Sequence, residues 1–150
     1  MRITALIVLA AATVMPDAAK AASTEELFQE FGLFGIWAAD CQQAASPANP
    51  HVSITSPSAG LVLENHDIGP VYAINRYSVL AAERLSAERL SVDVIFQPGA
   101  EGEERQKLVF RIRDGTRRTL FNQPDGGAAR VKDGVAVANR GRTPLLRKCE

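Results

Sequence analysis

Gly35-Ile36-Trp37-Ala38-Ala39-Asp40-Cys41 carries the only tryptophan of the chain and the first of its two cysteines; the second, Cys149, is the penultimate of 150 residues. A bond between the two would tie the first strand of the folded domain to its last, so everything between must return to its starting point. That describes a closed or nearly closed barrel. An exported chain with an even cysteine count is expected to be oxidised, and two cysteines allow a single connectivity, Cys41–Cys149. A reactive thiol pair would call for C-x-x-C spacing or a nearby helix start, and the sequence offers neither.

The expectation of export comes from the N-terminus. Met1-Arg2 precedes an apolar run from Ile3 to Met15, followed by Pro16 and by Ala19-Lys20-Ala21, the small-x-small pattern of a signal-peptidase site. Residues 1–21 read as a removed secretory signal. The run is well short of the roughly 20 residues that span a bilayer, and no cysteine stands near the cleavage point to carry a lipid. Removal takes away Arg2, Lys20 and Asp17, so 17 basic and 17 acidic residues become 15 and 16. A near-neutral chain with few aromatics lacks the electrostatic footprint of a nucleic-acid binder. Residues 22–150 suit one domain, expected as a monomer in the periplasm or secreted, without a membrane span.

Ser23-Thr24-Glu25-Glu26 has the S-x-x-E form of a capping box, and Leu27, Phe28, Phe31 and Phe34 follow at helical spacing. A short amphipathic helix with such a face is expected to plug one end of the core. Strand signals follow a Pro/Ala/Ser-rich loop over 42–50. His51–Thr55 alternates, Ser56-Pro57-Ser58-Ala59-Gly60 turns, and Leu61–His66 returns. Pairing residue 57 with 60 sets Ile54 opposite Leu63 on a buried face and Ser53 opposite Glu64 on the solvent face. A third strand is expected over Val71–Leu80. The tandem Ala82-Glu83-Arg84-Leu85-Ser86 and Ala87-Glu88-Arg89-Leu90-Ser91 has a period that fits neither helix nor strand. It is read as strand, turn near Ser86-Ala87, strand, with a short helix as the alternative. Lys107–Arg113 alternates with Leu108, Phe110 and Ile112 inward; Asp114-Gly115 is the strongest hairpin turn, and Thr116–Asn122 returns. Further turns fall at Pro124–Gly127 and Asp133-Gly134, and the last segment is Thr143–Cys149. The fold class is all-β: an antiparallel up-and-down barrel of about eight strands with a short N-terminal helix, or alternatively a β-sandwich.

Gly35-Ile36-Trp37, after a short helix and before a strand meander, resembles the G-x-W start of the lipocalins and their calycin relatives. The resemblance implies an eight-stranded barrel whose floor is closed by Gly35 and Trp37, with a ligand mouth at the other end. It also implies a late arginine packed on the tryptophan, for which Arg140, Arg142 and Arg147 are candidates. Bacterial lipocalin-like inhibitors of secreted metalloproteases are similar in size and in having one bridge. They insert a flexible N-terminus into the protease, whereas this chain starts its domain with a capped helix.

Candidate chemistry is sparse. In the register above, His51 and His66 face each other across the first hairpin with Glu64 diagonal to His51, a spacing a metal site uses, although a structural site takes four ligands. Two solvated histidines are the simpler reading, and neither a metal nor another cofactor is expected. Around the Asp114-Gly115 turn, Arg111, Arg113, Arg117 and Arg118 cluster, with Arg111 directly opposite Arg118. Arg111, Arg113 and Arg118 form a candidate anion site, set against a strand face neutralised by nearby acids. Hydrolase, metalloprotease, phosphate-loop and dinucleotide motifs are absent, so no enzyme activity is expected. Two roles remain: a barrel that binds or carries a small apolar or amphipathic molecule, or a protein-interaction or inhibitor module with a filled core. Small inward residues would leave a cavity, whereas the inward Val, Leu, Ile and Phe set would fill one.

Overall fold

The computed structural model describes residues 21–150; the proposed signal segment lies outside the described residues except for Ala21. Helix α1 (Thr24–Glu30) starts at the expected capping box, with Ser23 Oγ accepting from Glu26 N and Glu26 accepting from Ser23 N. Ten strands follow: β1 (Gly35–Ala38), β2 (His51–Ser58), β3 (Leu61–Asp67), β4 (Asn75–Ser86), β5 (Arg89–Phe96), β6 (Glu104–Arg113), β7 (Thr116–Pro124), β8 (Val131–Lys132), β9 (Val135–Ala136) and β10 (Leu146–Lys148). Strands β1 to β7 pair in sequence, all antiparallel, and β10 pairs with both β1 and β7. That double pairing closes an eight-stranded barrel and decides against a sandwich. β8 and β9 form a small hairpin continuing from the far half of β7.

The repeat at 82–91 resolves as β4, a two-residue turn and β5. The third strand begins at Asn75 rather than Val71, because Gly69 at φ 110° and Pro70 turn the chain and leave Val71, Tyr72 and Ile74 exposed in a loop. At the β6–β7 turn, Asp114 and Gly115 both take positive φ, 50° and 68°, as a two-residue hairpin of matching twist requires.

The register of β2 against β3 differs from the expected one by a single residue. Ile54 pairs with Glu64, Val52 with His66 and His51 with Asp67, after an irregularity between Thr55 and Ser58. Side chains alternate faces along a strand, so a slip of one residue exchanges inside for outside along all of β3. Val62 and Glu64 are therefore buried in the barrel, with His66 on the same face, while Leu63 stands on the outer face.

Helix α1 seals one end. Leu27, Phe28 and Leu33 are buried with Trp37, Ile54, Val62, Leu90 and Phe110 in one apolar core. Glu25 fastens the helix to the β2–β3 turn by accepting from Ser56 Oγ (2.7 Å) and Gly60 N (3.0 Å). Glu30 pairs with Arg84, which also covers the Phe31 ring at 4.6 Å.

Trp37 donates Nε1 to Leu33 O at 2.7 Å. Lys148 is its ladder partner and passes 5.9 Å from the ring centroid, on its way to bond Gly32 O at 3.0 Å. Partners across an antiparallel ladder share a face, so position 148 supplies the cation over the tryptophan; none of Arg140, Arg142 and Arg147 does. Gly35 sits at φ 119°, and a Cβ there would come within 3.1 Å of Lys148 Cε. The positive φ favours glycine at this position, and a side chain would also press on the passing lysine. Cys41, three residues past β1, is bonded to Cys149, one past β10, with Cα atoms 5.7 Å apart and a sequence separation of 108.

Candidate functional site

The slip in β3 brings polar groups into the half of the barrel away from the helix. Glu64 is 4% exposed and Arg117 2%. Arg117 Nη2 donates to Glu64 Oε1 at 2.5 Å, and the guanidinium lies 4.0 Å over the Phe110 ring. His66 Nε2 is 2.5 Å from the same carboxylate oxygen. Burial pushes the Glu64 carboxyl up, but the Arg117 charge and the bonds from His66 and Arg117 overcome it and hold it at about 2. The group is ionised, so His66 Nε2 is the donor. Tyr77 stacks between His66 and Phe96 at centroid distances of 4.9 and 5.1 Å. Its hydroxyl is pushed up to about 12 by burial and by the Glu64 charge.

A second polar chain runs beside the first. Asn122 Nδ2 donates to Gln106 Oε1 (2.7 Å), Gln106 Nε2 to Glu104 Oε1 (2.5 Å), and Arg130 closes on Glu104 with both guanidinium nitrogens. Both chains border a cavity of about 210 Å³. The cavity lies where β7 passes from its β10 partner to its β8 partner. Leu146, Val131, Val52, Leu108 and Pro50 give it apolar walls, and His66, Tyr77, Arg117, Arg118 and Asn122 its polar ones. Three buried atoms at this place have no hydrogen-bond partner within the protein: Arg117 Nη1, Arg118 Nε and Asn122 Oδ1. Burying such groups unpaired is costly. The helix end of the barrel is filled by large apolar side chains, and the opposite end keeps this space.

The structure separates the other candidate residues. His51 lies on the outer face beside the β1–β2 loop, with Nε2 2.9 Å from Gln43 O, while His66 faces inward, so the two do not form a metal pair. Among the described residues no group of three or more His, Cys, Asp or Glu is placed to hold a metal ion. Arg111 is the ladder partner of Arg118, as expected, and is followed across β5 by Arg89. Arg113 instead pairs with Glu88 and Asp114 at the turn and is neutralised. Of the three arginines in the candidate anion site, Arg118 alone reaches the cavity, and it is joined there by Arg117. Among the described residues no hydroxyl or thiol is hydrogen-bonded to the His66 ring.

Sequence reasoning names Glu64 on the solvent face beside the histidines and Arg117 in the turn cluster, and misses that the two meet inside the barrel; one signal pointed to the arginine. With Arg113 opposite Thr116, Arg117 falls opposite Ile112, which was already assigned to the inside. Comparison of the chain with protein-family models, with curated proteins and with solved structures finds no match.

Proposed function

We propose that this chain is a non-catalytic binding barrel that holds a small amphipathic molecule in the space at the end opposite helix α1. The observation that carries the reading is the 210 Å³ cavity bordered by a buried arginine with an unpartnered donor. Buried polar groups without partners inside a protein suit a site that completes their bonding with a bound molecule. The volume is below the roughly 300 to 1,000 Å³ of most drug-sized pockets, which favours a compact ligand. The intramolecular disulfide fits an oxidising compartment, and no described helix is long and apolar enough to cross a membrane. Both agree with a periplasmic or secreted carrier of lipocalin-like build.

Native mass spectrometry of protein purified from its own source tests the reading. An added mass of a few hundred daltons or less, released by organic solvent, is the expected result. A bare chain mass, with no thermal shift from any member of a panel of compact amphipathic compounds, would refute it. A second reading, a protein-interaction module, draws on the loop between β3 and β4, where Val71 is 85% exposed beside Tyr72 and Ile74. Co-purification of a protein whose binding is abolished by Val71→Asp and Tyr72→Ser supports that reading over the first.

A further inference from the structure

We infer that the cavity selects compact molecules with a single negative charge, a monocarboxylate above all, through Arg117 and Arg118 acting together. The inference rests on the cavity being a ligand site. No aspartate or glutamate lines the space, whereas two arginines do. Glu64 stands behind the lining and is committed to Arg117 and His66. The other acid at this end, Glu104, is held by Arg130 and Gln106. Among the described residues Arg118 makes no ion pair, and its Nε has no acceptor. Counted over the lining residues and the carboxylate bound to them, the arginine pair therefore carries two positive charges against one negative, and the excess of one matches a monoanion.

The donors agree with the charge. Arg117 and Arg118 both line the space, and each has one buried nitrogen without an acceptor, Arg117 Nη1 and Arg118 Nε, so the two guanidinium groups offer charged donors to a carboxylate bound beside them. Arg117 belongs to the inner face of β7 and Arg118 to its outer face, so the two approach the space from either side of the strand at the seam between β10 and β8. A neutral head group would satisfy the hydrogen bonds and leave the charge; a dianion would overshoot it. The apolar walls and the 210 Å³ volume then accept a ring or a short branched chain.

The test is calorimetric titration of the intact, oxidised protein with cyclohexanecarboxylate, cyclohexanecarboxamide and cyclohexylmethanol, at low and at high sodium chloride. The carboxylate is expected to bind about tenfold more tightly than the amide, the difference between charged and neutral hydrogen bonding. Salt should weaken the carboxylate and leave the amide unchanged. Arg118→Gln should abolish the preference, and Arg118→Lys should restore much of it. The Arg118 side chain makes no hydrogen bond or ion pair among the described residues, so both variants are expected to fold, which near-ultraviolet circular dichroism checks. Equal or tighter binding of the amide, or a preference unchanged in Arg118→Gln, overturns the inference while leaving a ligand cavity in place. Binding of none of the three compounds to the unaltered protein overturns the ligand-cavity reading as well.

Discussion

Replacing Glu64 by glutamine tests the ionic cluster inside the barrel most directly. The side chain keeps its shape and loses its charge, so Arg117, 2% exposed and stacked on Phe110, is left as a buried cation without a counter-charge. Removing one partner of a buried pair typically costs about 3 to 5 kcal/mol. The acidity of Glu64 points the same way: the Arg117 charge and the bonds from His66 and Arg117 hold its carboxyl well below the usual range, so the ionised form is the stabilised one. For a domain of this size the loss lowers the melting temperature by roughly 10 °C.

Urea unfolding of the oxidised protein and of Glu64→Gln, followed by the fluorescence of the single tryptophan, measures the difference. The pair Glu64→Leu with Arg117→Met should recover most of the loss, because replacing both ions with apolar groups is often neutral. The unaltered protein should show the same effect with pH. The unfolded chain takes up this proton at higher pH than the folded barrel does, so the contribution is complete above pH 4.5 and disappears as pH falls towards 2. A loss below about 1 kcal/mol in Glu64→Gln, or a double variant weaker than the single one, would refute the reasoning.

Other consequences can be measured separately. Cys41→Ser with Cys149→Ser should lower stability by up to about 5 kcal/mol, the chain-entropy value for a bridge spanning 108 residues, and a change under 1 kcal/mol in denaturant titration would contradict it. Phe28→Ala removes the fully buried centre of the helical plug and should cost about 3 to 5 kcal/mol while leaving ligand binding at the far end intact. Gly115→Ala forces a side chain into φ 68° at the β6–β7 turn; a loss of about 1 kcal/mol is expected, and no loss would mean the turn relaxes. Tyr77 should resist ionisation until about pH 12 in ultraviolet titration, and complete titration of both tyrosines near pH 10 would show that it is not buried against Glu64.

Much of the architecture is legible in the residues. The capping box, the Asp114-Gly115 turn and the alternation of Leu108, Phe110 and Ile112 each depend on local chemistry, and each appears where expected. The G-x-W glycine takes a positive φ that favours it, and the cation near the tryptophan is lysine, since position 148 shares the face of Trp37 and position 147 does not. The site is harder to see because it turns on one register. Hydrophobic patterning placed Leu63 inside with Ile54, and local pattern alone favours that pairing. What outweighs it lies on another strand: Arg117, opposite inward Ile112, needs an acid inside the barrel, and the pairing found here puts Glu64 there. Patterning of one hairpin carries no information about a charge partner that stands 53 residues away.

The seam along β7 has a mechanical meaning of its own. Around most of the ring each strand is laced to two neighbours, but between Arg117 and Asn122 the free edge of β7 meets loops instead of a strand. It is fastened there by Gly134 N to Leu120 O at 2.9 Å and by Thr143 Oγ1 to Thr119 O at 2.7 Å. A ring with one lightly fastened segment yields at that segment first, so the barrel is expected to open along its flank before its rims. Amide exchange at Gly134, which bonds the free edge of β7, should then be faster than at Trp37, even though the disulfide keeps the hoop closed.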